Sequence, residues 1–252
     1  MGKVILSNKE ITEKDYFNKI AKNYDLNYNY SDPFTKYKIN KKATELIELI
    51  KSEFKRRNLK ILELGCGTGE YTLKVAKSLP YSKIVGLDIS DKIVGLAKIK
   101  CKEVKNISFV VASAYDTAFP DNNFDVIFGY YVLHHLDTKR TFDEIRRLLK
   151  PGGFAFFYEP NILNPLVYMI KSNKHLKKKV GDSPNEWAIN PLSLKHELKG
   201  FDNVTVSTRE YVIPLKLIPF RYLKKIDILS RIFKKIPLLN YFGGSVQISF
   251  KK

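Results

Sequence analysis

Three glycines at alternate positions, Gly65, Gly67 and Gly69, follow the apolar run Ile61-Leu62-Glu63-Leu64. Glycine lets a backbone turn sharply and approach a ligand with no Cβ in the way. A phosphate-binding dinucleotide turn needs glycine again at the last position of G-x-G-x-x-G, where this chain has Glu70. A carboxylate there repels a pyrophosphate but suits a ligand carrying an ammonium and a sulfonium. Glu63 adds negative charge of the same use. Asp88 closes a second apolar run, Val85-Gly86-Leu87, where a carboxylate can accept two hydrogen bonds from a ribose diol. Its other reading is a helix N-cap, which Ser90 or Asp91 would serve better; the ribose role is favoured. His134, His135 and Glu159 are the groups placed to move a proton, histidine because it titrates near neutrality. The plainer alternatives are that one histidine bonds a loop carbonyl and that Glu159 anchors a loop through backbone amides.

Short β-rich runs alternate with helical patterns, the signature of parallel βαβ units and a doubly wound α/β sheet. Strands are predicted at 60–64, 83–87, 107–111, 124–128 and 154–158, mostly continuous in apolar residues, as strands covered on both faces must be. Helices are predicted at 70–78, 91–104 and 139–149, the last stopped by Lys150-Pro151-Gly152-Gly153. Every chemical residue named above then sits at a strand's carboxyl end, where open α/β sheets bind ligands. The whole reads as one domain: cap helices at 12–57, a cofactor-binding core at 58–159, a cap insertion at 160–202, and late strands around a basic helix at 203–252.

The chain of 252 residues is 44% hydrophobic and 13% aromatic, enough for a full core. Cys66 and Cys101 suggest neither a disulfide framework nor a metal cluster, so no metal is expected and a reducing cytoplasm is favoured. No apolar window of about 18 residues and no apolar core in Met1–Lys9 point to a span or a secretory signal. Net charge is +18, with 17 Lys and Arg against 6 Asp and Glu after residue 159. Lysine outnumbers arginine 36 to 8, which speaks against planar recognition of phosphate. Nucleic acid is therefore a weak expectation.

Taken together, the opening Phe17-Asn18-Lys19-Ile20-Ala21-Lys22-Asn23-Tyr24-Asp25, the E-L-G-C-G-T-G turn, Asp88, Phe124-Asp125-Val126-Ile127, Val132-Leu133-His134-His135-Leu136 and Leu149-Lys150-Pro151-Gly152-Gly153 resemble a class I S-adenosylmethionine-dependent methyltransferase. The resemblance is to the broad group that includes the ubiquinone and menaquinone methyltransferases. The resemblance implies a Rossmann-like sheet of seven mostly parallel strands with the last antiparallel. It implies S-adenosyl-L-methionine as cofactor, with Glu63, Gly65, Cys66 and Gly67 at its methionine end and Asp88 on the ribose. Ile89, Ala114 and Tyr115 would flank the adenine, Tyr130 would lie near the sulfonium, and Tyr24 would close from the cap. Members often carry an acid near Ser113 or Ala114; here either the Ser113 hydroxyl substitutes or Asp116 is displaced.

The acceptor is expected to be a small molecule, a saccharide or a lipid-like compound methylated at oxygen or carbon. Gly129-Tyr130-Tyr131-Val132 lacks the Pro-Pro-aromatic turn of base amino-methyltransferases, and neither cysteine suits a thiolate nucleophile. The 219–236 segment places Leu223, Ile226, Leu229, Ile232, Phe233 and Ile236 on one side and Arg221, Lys224, Arg231, Lys234 and Lys235 on the other. Such a helix either covers the sheet or, with the lysines at 171–179, rests on an anionic membrane at its inner surface. The competing readings are a non-catalytic scaffold of the same fold and a methyltransferase acting on RNA.

Overall fold

The computed structural model describes residues 6–183, 186–211 and 239–252, with Tyr222, Lys225, Ile228, Ser230, Ile232, Phe233, Lys235 and Ile236. The amphipathic pattern read at 219–236 therefore lies mostly outside the described residues.

The sheet comprises β1 (Lys60–Leu64), β2 (Lys83–Asp88), β3 (Ile107–Val111), β4 (Phe124–Tyr130), β5 (Leu149–Pro160), β6 (Asp202–Arg209) and β7 (Ser245–Lys251), in the order β3-β2-β1-β4-β5-β7-β6. β7 runs antiparallel to both β5 and β6, and the other pairings are parallel. This is the doubly wound, seven-stranded arrangement expected. The order reverses between β1 and β4, so a crevice opens past their carboxyl ends.

Strand alternation decides which layer each residue joins. Val126, Phe128 and Tyr130 of β4 and Phe154, Phe156 and Tyr158 of β5 point into one core, with α3 (Pro33–Glu53) and α4 (Glu70–Ser78). Ile127 and Phe157 point into the other, with α6 (Thr138–Leu148) and α9 (Pro191–Glu197). All seven residues of β4 are buried, and apart from Asp125, whose carboxylate meets Arg56 and Lys150, the strand reads as apolar sequence. α5 (Asp91–Lys100) follows β2, capped by Ser90, whose side chain accepts from Ile93 N at 3.2 Å.

The N-terminal cap begins earlier than its sequence suggests. α1 (Asn8–Ile20) starts with a capping box: Ser7 Oγ accepts from Glu10 N, and the Glu10 carboxylate accepts from Ser7 N at 2.9 Å. A short α2 (Tyr24–Asn27) follows. α3 opens on Pro33, with the Asp32 side chain accepting from Thr35 N at 2.9 Å. The insertion after β5 forms α7 (Pro165–Ser172), α8 (Lys174–Val180) and α9. At Lys150-Pro151-Gly152-Gly153 the helix stops as predicted, but the strand has already begun: Leu149 pairs with Phe124 before a bulge.

Candidate active site

Past the carboxyl ends of β1, β2 and β4 lies a cavity of about 440 Å³, roofed by α1, α2 and the segment after α8. Gly65, Cys66 and Gly67 form part of its floor, with Glu63, Asp88, Ile89, Ala114, Tyr115, Tyr130 and Tyr24 around them. Eleven cofactor residues were named from sequence, and the fold brings ten of them to this one wall.

The glycines are there for room. Gly65 has φ +64°, and a Cβ on it would sit 2.4 Å from Val132 Cγ2. Gly67, at φ +52°, would place a Cβ 2.8 Å from the Tyr24 hydroxyl, so Tyr24 closes directly over the turn. Asp88 ties the floor together: Oδ2 accepts from Gly67 N and Oδ1 from Ser90 N, each at 3.0 Å. Glu63 is buried and accepts a hydrogen bond from Thr72 Oγ1. Burial pushes both carboxyls above the usual range, and the Asp88 charge pushes Glu63 further. Two desolvated acids on one wall favour a ligand that brings positive charge and hydroxyl donors. The chain thus fits the group its sequence implies. The glycine cradle leaves space for it, and the acids match its cationic and ribose ends.

Ser113 departs from expectation. It does not line the cavity; its hydroxyl donates to Glu10 Oε1 at 2.5 Å and accepts from Tyr115 N at 3.1 Å. Asp116 does not line it either. The acid at this end is Glu10, delivered by α1, and its hydrogen bonds from Ser113 and Ser7 outweigh burial to hold its carboxyl below the usual range. Ser7-x-x-Glu10 was visible in sequence as a capping pattern. Nothing local said which strand end it would meet.

The proton-moving residues also sort differently. Glu159 is sealed under the loop after β4 and does not line the cavity. Its Oε1 accepts from Val132 N at 3.0 Å and Leu133 N at 2.9 Å, so it anchors that loop and cannot touch an acceptor. His134 has both ring nitrogens taken, Nδ1 by Glu159 at 2.6 Å and Nε2 by Glu186 at 3.2 Å. Burial opposes its charge, but these carboxylates prevail and raise its pKa to about 9. At neutral pH it holds its proton, which corrects its reading as a general base. His135 lines the cavity, edge-on to Phe17, with Nδ1 3.0 Å from Glu13 and Nε2 3.8 Å from Glu186.

Glu186 itself bonds the Lys171 ammonium, which also reaches Asp182 at 2.8 Å. Lys171, first of the basic run, is therefore an inward strut. One atom each of His134, His135 and Glu186 lies within 4.8 Å of the others, but that carboxylate already serves Lys171 and His134.

A second group escaped sequence reasoning. Thr35, Lys38, Ile39 and Lys42 line the cavity from one face of α3, spaced i, i+3, i+4 and i+7. Lys42 is only 3% exposed. It donates to the Tyr131 hydroxyl and pairs with Glu210 at 3.1 Å. The spacing was available in sequence, but a lysine-rich helix face reads as solvated until the sheet is placed behind it.

Among known families, residues 62–157 match the one described as methyltransferase domain. A demethylmenaquinone methyltransferase of Staphylococcus carnosus is 30% identical over 173 residues, covering 67% of this chain and 69% of that protein. An uncharacterised methyltransferase of Schizosaccharomyces pombe is 31% identical over 125 residues, covering 46% of this chain and 45% of that protein. This chain thus spans less than half the length of the yeast relative. Among solved structures, a Haemonchus contortus phosphoethanolamine N-methyltransferase in complex with S-adenosyl-L-methionine superposes with a TM-score of 0.65 at 17% identity. The match covers 100% of this chain and 61% of that one, a likeness of fold.

Proposed function

We propose that this chain, which belongs to the class I S-adenosylmethionine-dependent methyltransferases, transfers a methyl group to a small, flat, lipid-like acceptor at oxygen or carbon. The cofactor is S-adenosylmethionine, and it supplies an activated methyl whose transfer needs alignment and exclusion of water more than acid–base help. The observation carrying this reading is the continuity of one cavity. It runs from the glycine turn and Asp88 to a wall of aromatic rings, Phe17, Tyr28, Tyr30, Tyr71 and Tyr131.

The residues divide the work. Gly65, Cys66 and Gly67 admit the cofactor's backbone-facing edge, Glu63 meets its cationic end, Asp88 takes the ribose, and Ile89, Ala114, Tyr115 and Glu10 serve the adenine. Tyr24 closes over the turn and keeps water out. Glu159 and His134 hold the loop after β4 in place. Of the three residues expected to move a proton, His135 is the one with a ring nitrogen left for an acceptor. The aromatic wall supports a ring-bearing acceptor, as does the demethylmenaquinone named in the Staphylococcus carnosus relative. The test is transfer of labelled methyl from S-adenosylmethionine to demethylmenaquinol and to simpler quinols. Product formation that depends on Asp88 supports the reading; labelling of RNA in preference to every quinol overturns it.

Peripheral membrane contact fits a lipid-like acceptor. No described helix is long and apolar enough to cross a membrane. Leu166, Tyr168 and Met169 of α7, with Val180 and Trp187, stand exposed in the insertion that also carries Lys174, Lys178 and Lys179. Rings and cations together suit an anionic headgroup layer. Sedimentation with anionic vesicles, reversed by salt, is the expected result, and indifference to vesicles ends this part of the proposal.

A further inference from the structure

Resting on that reading of the cavity, we infer that its α3 wall is a subsite for an ionised acceptor oxygen, a phenolate or enolate. The Tyr131 hydroxyl and the Lys42 ammonium receive it.

Lys38 and Lys42 both line the cavity, and both pair with one carboxylate, Glu210, at 3.4 and 3.1 Å. Glu210 stands behind them and does not line the cavity. Among the described residues, the wall therefore presents two ammonium groups that share a single acid, Lys42 buried and Lys38 half-buried. Lys42 is buried and shares its one carboxylate with Lys38, and an anionic ligand gives the two cations a second negative partner. The opposite wall, with Glu13, Asp182 and Glu186, would repel the same anion.

Backbone strain points to the same place. Tyr131 has φ +58°, an uncommon conformation for an aromatic residue, held by its amide donating to Tyr158 O at 2.8 Å. The turn aims its side chain at Lys42, whose ammonium lies 4.8 Å from the ring centroid and donates to the hydroxyl. With its oxygen accepting from Lys42, Tyr131 keeps its own proton as a donor for a ligand, and the ammonium strengthens that donor. Burial opposes the charge on Lys42, yet Glu210 and Tyr131 hold its pKa above the ordinary lysine value, so the cation persists.

The neighbours narrow the class. Tyr30 and Tyr71 share the cavity with Tyr131, so the oxygen arrives on a ring rather than on a phosphate, for which bidentate arginine would be the usual partner. The hydroxyl proton leaves to solvent before transfer. The electron pair on that oxygen, or on the ring carbon conjugated with it, then forms the bond to the methyl. The carbon–sulfur bond breaks and its electrons neutralise the sulfonium; after attack through carbon, the ring proton departs to solvent.

4-Nitrophenol tests this directly, because its ionised form absorbs visible light. The full chain is titrated with it at a fixed mildly acidic pH, with and without S-adenosylhomocysteine. The expected result is that bound 4-nitrophenol ionises, its apparent ionisation constant rising about tenfold, while nitrobenzene binds no better than this phenol. Lys42→Met abolishes the effect, and Tyr131→Phe, which keeps the ring and the Lys42–Glu210 pair, weakens nitrophenolate binding about tenfold. Each variant is titrated with S-adenosylhomocysteine to show that its cavity is folded. Bound 4-nitrophenol that stays neutral, or full nitrophenolate affinity in Tyr131→Phe, overturns the subsite. Failure of the unsubstituted chain to bind S-adenosylhomocysteine, with nitrophenolate still bound, overturns the methyltransferase reading and leaves the subsite standing.

Discussion

The two halves of the cavity are made in different ways. The cofactor half is built mainly from short runs at strand ends: Glu63, Gly65, Cys66 and Gly67 at the end of β1, Asp88 and Ile89 at the end of β2, and Ala114 and Tyr115 past β3, with Glu10 and Tyr24 added from the cap. The acceptor half gathers Lys38 and Lys42 from α3, Tyr131 from the β4 loop, Glu13 from α1, and Lys171 and Glu186 from the insertion. A local turn is specified by a few neighbouring residues, and so it leaves a pattern. A wall assembled from four distant segments is specified by packing, and each contributor looks ordinary where it stands in the chain. That contrast predicts that substitutions in the first half act on cofactor affinity and those in the second on turnover.

The largest effect should come from the floor. Gly65→Val puts a side chain where even a Cβ would lie 2.4 Å from Val132, and should weaken S-adenosylhomocysteine binding by more than about a hundredfold by calorimetry. Retained affinity would mean that the turn is not the cradle. Next, Lys42→Met should lower kcat about a hundredfold, with the KM for S-adenosylmethionine changed less than about twofold. Equal losses in both constants would erase the division between the halves.

The network behind the acceptor half should show in pH-dependent stability. The folded pKa of His134, about 9, stands above its value of 6.5 in an unfolded chain. Its contribution is therefore fully present below about pH 6.5 and disappears as pH rises through 9. It amounts to at most about 3 to 4 kcal/mol. Urea unfolding of the chain and of His134→Gln should differ most at pH 6 and converge above pH 9; parallel curves would contradict the pairing. The smallest effect belongs to the adenine end. Ser113→Ala removes one of the donors to Glu10 and should weaken S-adenosylhomocysteine about fivefold, leaving kcat unchanged.

Legibility in the sequence followed the same division. β1 and β3 stand where their apolar runs placed them, and α4 spans the predicted 70–78. β5 and α1 began earlier than predicted, because Leu149 pairs across a bulge and Ser7 caps α1 through a side chain. Gly65, Gly67 and Asp88 were legible because glycine spacing and strand-end acids have few other uses. Glu159 was misplaced because a strand-end carboxylate looks the same whether it faces a cavity or the amides of the next loop. Lys42 was missed because lysine on a helix is ordinarily solvated, and only the approach of Tyr131 and Glu210 makes it a buried cation. His134 was recognised as chemical but given the wrong charge, since Glu186 is 52 residues away in sequence.

The most direct test of the central claim is isothermal titration of the purified chain with S-adenosylhomocysteine, with NADH and Asp88→Ala as controls. The expected result is micromolar binding of the first ligand, its loss in Asp88→Ala, and no heat from NADH. Binding of NADH, or S-adenosylhomocysteine affinity unchanged in Asp88→Ala, would contradict it.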